Sequence, residues 1–330
     1  YIVVLNLTAN KPFFVLAPMD DVTDTVLRQI IADCAAPDIF FTEFVNVDGL
    51  QSKGRERLLH KLAFTAKEQP LIAQMWGKTP ENYEITAKEL VDMGFAGIDI
   101  NMGCPDKSIV KNGCCSALIN NRNLAVDIIA AVQRGVNGRV PVSVKTRTGW
   151  NEVDFSWPEL LLKQNIDMLT IHGRTKKELS KVPARWEDIG RIRELRDSIA
   201  PHTLIVGNGD VMSRAEGAVL AQQYELDGIM IGRAVFHDPY VFSEQSPWAT
   251  VPQVEKLELY KKHIRLFTTT YQPHSEGQKW VRNWESLKRM AKIYIHGIDG
   301  ASAFRDVFMR SKSVDEMITH LDTQITKLQS

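Results

Sequence analysis

The run Asn101-Met102-Gly103-Cys104-Pro105 closes a short apolar stretch and leaves one thiol at its polar end. A thiol in that place can do three kinds of chemistry. It can be a nucleophile, which needs a base beside it. It can ligate a metal with Cys114 and Cys115, although the spacing contains no paired C-x-x-C arrangement. It can also act as a general acid, because a thiol with an ordinary pKa of about 8.5 stays mostly protonated at neutral pH. Lys145 offers an ammonium with three uses of its own: stabilising the negative charge of a reduced flavin, forming a Schiff base, or pairing with a carboxylate such as Glu43.

Gly207-Asn208-Gly209-Asp210 and Gly232-Arg233 suit a phosphate group. Glycine lets backbone N–H groups come close to an anion, and a guanidinium adds two parallel donors. The plainer alternative is that these glycines only make tight turns. Gln74, His172 and Arg174 add an amide, an imidazole and a second guanidinium, and Ala17-Pro18-Met19 ends another apolar run. Such variety fits a ligand with many polar edges. Gln74, His172 and the two glycine stretches together favour a flavin mononucleotide.

These residues all fall at the ends of short β-branched, apolar runs. The runs cover 13–19, 39–44, 71–77, 97–103, 140–146, 168–173, 203–209 and 228–232. Near-continuous apolar character is the mark of strands buried on both faces. Helical patterns lie between them, at 23–34, from Thr79 onward, and at 125–136, 158–165, 186–199 and 213–224, with a weaker one at 54–62. Eight strand–helix units predict an α/β chain folded as a (β/α)8 TIM barrel, with a doubly wound open sheet as the alternative. A TIM barrel gathers its chemistry at the C-terminal ends of its strands and often binds phosphate after strands seven and eight. The residues named above occupy those places.

Beyond Pro239 the pattern changes. Residues 246–252 read as a linker, and 254–271, 277–296, 300–311 and 314–328 are helical throughout. The expected division is a catalytic barrel over 1–245 and a small all-helical domain over 251–330. The whole chain carries 40 Lys+Arg against 40 Asp+Glu, which argues against a polybasic tail. Between Lys256 and Lys312, however, 12 Lys/Arg stand against 5 Asp/Glu. Lys261, Lys262 and Arg265 fall together, as do Lys279, Arg282, Lys288, Arg289 and Lys292, interleaved with Trp280, Trp284 and Tyr294. Lys176, Lys177, Lys181 and Arg185 form a further basic group. Helical charge runs are often solvated faces, and Trp280 and Trp284, four apart, fit a helix core. Histidines other than His172 show no metal spacing, and most read as surface or cap residues. Four cysteines, no leader pattern and no long apolar run point to a reducing, cytoplasmic setting without a membrane span or a metal.

The chain resembles the flavin-dependent tRNA-dihydrouridine synthases. The resemblance rests on Ala17-Pro18-Met19, Gln74 in QMWG, IDINMGCP ending at Pro105, Ser116-Ala117-Leu118, VKTRTGW ending at Trp150, Thr170-Ile171-His172-Gly173-Arg174-Thr175, GNGD at 207–210 and IGRA at 231–234. It implies reduction of uridine in tRNA, with tightly bound FMN and with NADPH as transient reductant. It implies that Ala17, Pro18, Met19, Gln74, Lys145, His172, Asn208, Gly209, Asp210, Gly232 and Arg233 hold FMN. It makes Cys104 the general acid, sets Asn101 and Arg174 near substrate, and gives the helical tail to RNA. A monomer is expected. One departure is Cys114-Cys115 before Ser116, where the family commonly has glycine or small residues. Three readings compete, one of them a catalytically dead RNA-binding module, against which the full set of strand-end residues argues. A small-molecule reductase like dihydroorotate dehydrogenase or old yellow enzyme would not need a basic helical tail, and a phosphate-binding aldolase or isomerase would not need flavin.

Overall fold

A computed structural model describes residues 11–273, 280–295 and 300–330. Nine parallel strands form one sheet: β1 (Phe13–Leu16), β2 (Phe40–Phe41), β3 (Val45–Asn46), β4 (Leu71–Trp76), β5 (Gly97–Met102), β6 (Val142–Arg147), β7 (Met168–His172), β8 (Leu204–Asn208) and β9 (Gly228–Ile231). Their order is β1-β9-β8-β7-β6-β5-β4-β2, with β3 also paired to β4. Because β2 and β3 pair with successive parts of β4, they act as one stave. A parallel bridge between Val15 and Ile39 brings the first stave to the second. The result is the expected eight-stave TIM barrel.

Twelve α-helices are present among the described residues: α1 (Thr25–Ala35), α2 (Val47–Leu50), α3 (Pro80–Asp92), α4 (Lys107–Lys111), α5 (Arg122–Val136), α6 (Ser156–Leu162), α7 (Trp186–Ile199), α8 (Arg214–Gln223), α9 (Gln253–Tyr271), α10 (Ser286–Tyr294), α11 (Ala301–Met309) and α12 (Val314–Gln329). Local chemistry sets their starts. Pro80 occupies the first turn of α3, where its missing N–H costs nothing. Ser213 caps α8 and Ser313 caps α12 through their side chains. Gly135 lets α5 lie close to α3, since a Cβ there would stand 2.3 Å from the Glu84 carbonyl oxygen. The segment 54–62 is not a helix. It makes two single 3-10 turns, Arg55–Arg57 and Leu59–Leu62, and only Leu62 is buried in them, too little apolar surface to hold a continuous helix.

The chain divides into two compact units: Tyr1–Thr25 with Pro37–Gly232, and Val26–Ala36 with Arg233–Ser330. In the barrel unit, inward side chains recur every second residue. Those near the strand starts are apolar, including Phe13, Val15, Ile72, Met168, Leu204 and Met230. Those nearer the strand ends are polar, including Gln74, Asn101, Lys145, His172 and Asn208. The alternation fixes which side chains can meet in the barrel.

The second unit is built around α9, which buries Leu257, Tyr260, Ile264, Phe267 and Tyr271 at helical spacing. Tyr260 stacks on Tyr294 at 4.6 Å between ring centroids and donates its hydroxyl to the Leu287 carbonyl at 2.7 Å. The stretch expected as a linker is packed, because Trp248 is buried against the Tyr240 and Tyr294 rings. His263 departs from the surface or cap position expected of most of the histidines: it is buried, with Nδ1 2.8 Å from the Tyr294 hydroxyl. His274, His296 and Lys279 lie outside the described residues, as do the ends of the 277–296 helix expected there.

Candidate active site

The Cys104 loop follows β5 and is pinned on several sides. Asn101 Oδ1 accepts from the Gly103 N–H at 3.1 Å and the Cys104 N–H at 2.9 Å. Arg147 Nε donates to the Gly103 carbonyl at 2.8 Å, and the Ser116 N–H donates to the Cys104 carbonyl at 3.3 Å. Asp106 then caps α4 by accepting from the Ser108 and Ile109 N–H groups. The thiol is half-buried. Burial pushes its pKa up, against the opposing pull of the Asp106 N–H and the Arg147 guanidinium. The proton therefore stays on sulfur at neutral pH.

Beneath this loop runs a buried polar chain. Asp99 Oδ2 accepts from Gln74 Nε2 at 2.7 Å, and Gln74 Oε1 accepts from Asn101 Nδ2 at 2.9 Å. Ser143 Oγ donates to Asp99 Oδ1 at 2.5 Å. Asp99 and Gln74 are fully buried. Burial pushes the Asp99 carboxyl up to about 6, even though Ser143, Gln74 and Lys145 favour its charged form.

Lys145 stands on β6, in register with Asn101 on β5 and Thr170 on β7. Its ammonium hydrogen-bonds Asn208 Oδ1 at 3.3 Å, and Asn208 Nδ2 donates to the Met230 carbonyl at 2.9 Å. Burial lowers its pKa to about 8, with Arg147 adding repulsion and Asp99 opposing it. Glu43, the other partner considered for it, instead accepts from the Asp21 N–H at 2.7 Å and lies 4.0 Å from Lys61.

His172 ends β7, with Nε2 3.0 Å from Arg174 Nη1. Arg174 is buried, donating to the Val182 carbonyl at 2.6 Å and pairing with Asp210. Asp210 also accepts from the Ala184 N–H at 2.9 Å, so this pair ties the loop after β7 to the loop after β8. Gly209 has φ +135°, and a Cβ there would stand 2.6 Å from the Ala184 Cβ and 3.2 Å from the His172 ring. Only glycine fits that backbone and that space. Ala17 donates its N–H to the Ile231 carbonyl at 2.8 Å, and Met19 donates to Thr23 Oγ1 at 2.9 Å. Pro18 joins these two, and Gly232 faces Ala17 and Met19. Arg233 opens the 3-10 turn Arg233–Phe236 of the second unit.

The barrel mouth thus combines a protonated thiol, a half-buried ammonium and a loop that only glycine can make. A partly desolvated cation bonded to a neutral amide attracts an anionic or electron-rich ligand edge. One participant escaped the sequence reading of the site, as did the role of a second. Asp99 lies inside the apolar Ile98-Asp99-Ile100 run, where a charge buried on a strand was the available signal. Arg147 was visible as a strand-end cation, but its grip on Gly103 was not. Cys114 and Cys115 are buried free thiols whose pKa values burial pushes up, and Cys115 has a left-handed backbone at φ 54°. Among the described residues no group of three or more His, Cys, Asp or Glu could hold a metal ion, and no helix is long and apolar enough to cross a membrane.

The basic groups differ in their availability. Lys261 is buried and paired with Asp322 at 2.6 Å and Glu258 at 3.1 Å, which removes it from the exposed cluster. Lys262 pairs with Asp33 at 2.7 Å, and Arg265 is exposed. Arg282 is buried near the Tyr271 ring. Lys288 lies over Trp284 at 5.0 Å, and Lys292 over Phe236 at 3.4 Å. Trp280 and Trp284 precede α10 and are half-buried, so their spacing of four is not a helix face. In the barrel unit, Lys176 covers the Trp150 ring at 4.4 Å, Arg185 pairs with Glu178 and Asp188, and Lys177 and Lys181 are exposed.

A family model for dihydrouridine synthase (Dus) matches residues 15–330. A Staphylococcus aureus protein named a probable tRNA-dihydrouridine synthase is 43% identical over 315 residues, covering 94% of this chain and 93% of that one. A Bacillus subtilis protein named probable tRNA-dihydrouridine synthase 2 is 43% identical over 317 residues, covering 94% of each. Among solved structures, 2-naphthoyl-CoA reductase aligns with a TM-score of 0.55 at 11% identity, over 70% of this chain and 49% of that one. Histamine dehydrogenase from Rhizobium sp. 4-9 aligns with a TM-score of 0.53 at 12% identity, over 77% and 48%. At that identity the structural likeness speaks for the barrel fold.

Proposed function

The chain belongs to the dihydrouridine synthase family, and on that premise we propose that it reduces uridine to 5,6-dihydrouridine in tRNA, with bound FMN and with NADPH as the transient reductant. The observation that carries this reading is the Cys104 loop: a thiol kept protonated by burial and fixed in place by Asn101, Arg147 and Ser116.

The residues present fit an FMN. Lys145 offers a half-buried ammonium, Gln74 and Asn208 offer amides, and Gly209 gives the loop after β8 a tight turn that its φ of +135° and its contact with Ala184 confine to glycine. His172 and Asp210 border that loop; Ala17, Pro18 and Met19 line the end of β1 with Gly232 against them. Arg233 keeps its place in this set on its sequence alone. When bound, FMN supplies hydride to C6 of the uracil.

The protein's own part is the second half of the addition. Negative charge builds through C5 toward the C4 carbonyl, and C5 takes the proton held at Cys104 Sγ. Arg147 lies close enough to favour the resulting thiolate, and a solvent proton restores the thiol. Asn101 serves this step by holding the loop, since its amide oxygen is engaged by Gly103 and Cys104. Arg174, tied to Val182 and Asp210, would shape the substrate side of the mouth.

A uridine inside folded RNA must be extruded to reach this mouth, which costs a few kcal/mol. Grip on flanking phosphates offsets that cost. Arg265 in the helical unit and Lys177 and Lys181 in the barrel unit are exposed cations available for it. With about six phosphates neutralised, raising salt from about 50 to about 200 mM should weaken tRNA binding roughly 1000-fold. A filter-binding titration checks this. An affinity indifferent to salt would favour the small-molecule reductase reading.

A further inference from the structure

We propose that Asp99 is a positioning residue that sets the orientation of two side-chain amides in series and so holds the Cys104 loop in its working shape; this rests on the reading of Cys104 as the proton donor.

The argument is one of hydrogen-bond polarity. An ionised carboxylate only accepts. Asp99 therefore requires Gln74 to turn its Nε2 toward it, at 2.7 Å, which leaves Gln74 Oε1 facing β5. That oxygen requires Asn101 to present Nδ2, at 2.9 Å, which leaves Asn101 Oδ1 facing the loop. The loop there offers two N–H donors, Gly103 at 3.1 Å and Cys104 at 2.9 Å, and Asn101 Oδ1 accepts both. Each amide could in isolation be turned over. Turning either one inside this chain sets donor against donor, and turning Asn101 leaves both loop N–H groups without an acceptor. Ser143 Oγ, donating to the second carboxylate oxygen at 2.5 Å, secures Asp99 itself. Lys145 is the charged group that faces Asp99, and it favours the ionised form.

A buried carboxylate costs stability unless it is paired, and hydrophobic residues would fill this space more cheaply. Its place here makes sense as a source of direction. An apolar residue there, with no acceptor, could not dictate which way Gln74 points.

The test reads the loop without using catalysis. The alkylation rate of Cys104 by iodoacetamide, followed by peptide mass mapping in the folded protein, reports how often the loop opens. With the buried acceptor for Gln74 gone, Asp99→Leu should label Cys104 about tenfold faster. Asp99→Asn can still accept from Gln74 and should label near the unsubstituted rate. Gln74→Met severs the chain one link nearer the loop and should match Asp99→Leu, which keeps the test open if Asp99→Leu does not fold. In the Asp99→Leu/Asn101→Ala double variant, labelling should be no faster than in Asn101→Ala alone. Unchanged labelling in Gln74→Met, or effects that multiply in the double variant, would overturn the proposal. These outcomes are independent of whether Cys104 donates the proton, which uridine turnover by Cys104→Ala decides.

Discussion

Cys104→Ala should keep its flavin and its reduction by NADPH, yet reduce uridine about 100- to 10,000-fold more slowly, the usual worth of a placed general acid. The separation follows from where the bonds go. Asn101, Arg147 and Ser116 hold the backbone of this loop, so removing the sulfur leaves its anchors intact. Burial keeps the thiol protonated, so what the variant loses is a proton donor, with no charge removed from the site. Stopped-flow bleaching of the flavin by NADPH, followed by reoxidation with tRNA, separates the two halves. A variant whose reoxidation matches the parent protein would sink the assignment of the acid.

Lys145→Met should stabilise the ligand-free protein while weakening its hold on FMN about 10- to 100-fold, the range expected for a lost charge-assisted contact. The partly desolvated ammonium is a burden in the ligand-free protein. Its proton leaves near pH 8 in the folded chain, while the unfolded chain holds it to 10.5. Between those values the unfolded chain binds more protons, so the contribution of this group to stability rises with pH and is lost as pH falls from 10.5 through 8. The size is a few kcal/mol. Subtracting the variant's melting curve from the parent's across that window removes the other lysines and tyrosines. A difference that is flat with pH, or FMN affinity unchanged by the substitution, would show that Lys145 does neither job.

The barrel was legible because strands buried on both faces write themselves as short, near-continuous apolar runs. Gln74, Asn101, Lys145, His172 and Asn208 interrupt apolar runs at their C-terminal ends, and each of those interruptions sits at the polar end of a barrel strand. Glycine at 209 was legible for the same kind of reason, since a positive φ and a crowded Cβ leave few substitutes. What stayed hidden depends on partners distant in sequence. Asp99 reads as an oddity until Gln74, twenty-five residues away, is seen to donate to it. Lys261 reads as a surface cation until Asp322 appears beside it. Trp280 and Trp284 have helical spacing, but helical geometry begins only at Ser286, and Trp280 packs on Phe267 instead. Charge and periodicity are local properties; pairing is not. The division of the chain shows the same limit, since α1 belongs by its contacts to the unit that also contains the C-terminal helices.

The most direct test is mass-spectrometric mapping of uridines in tRNA after incubation with the purified protein and NADPH. The account predicts a defined uridine made heavier by two hydrogen atoms, with no change when NADPH is omitted or when Cys104→Ala replaces the parent protein. Transfer RNA that returns unmodified from a protein carrying its full complement of flavin would contradict it.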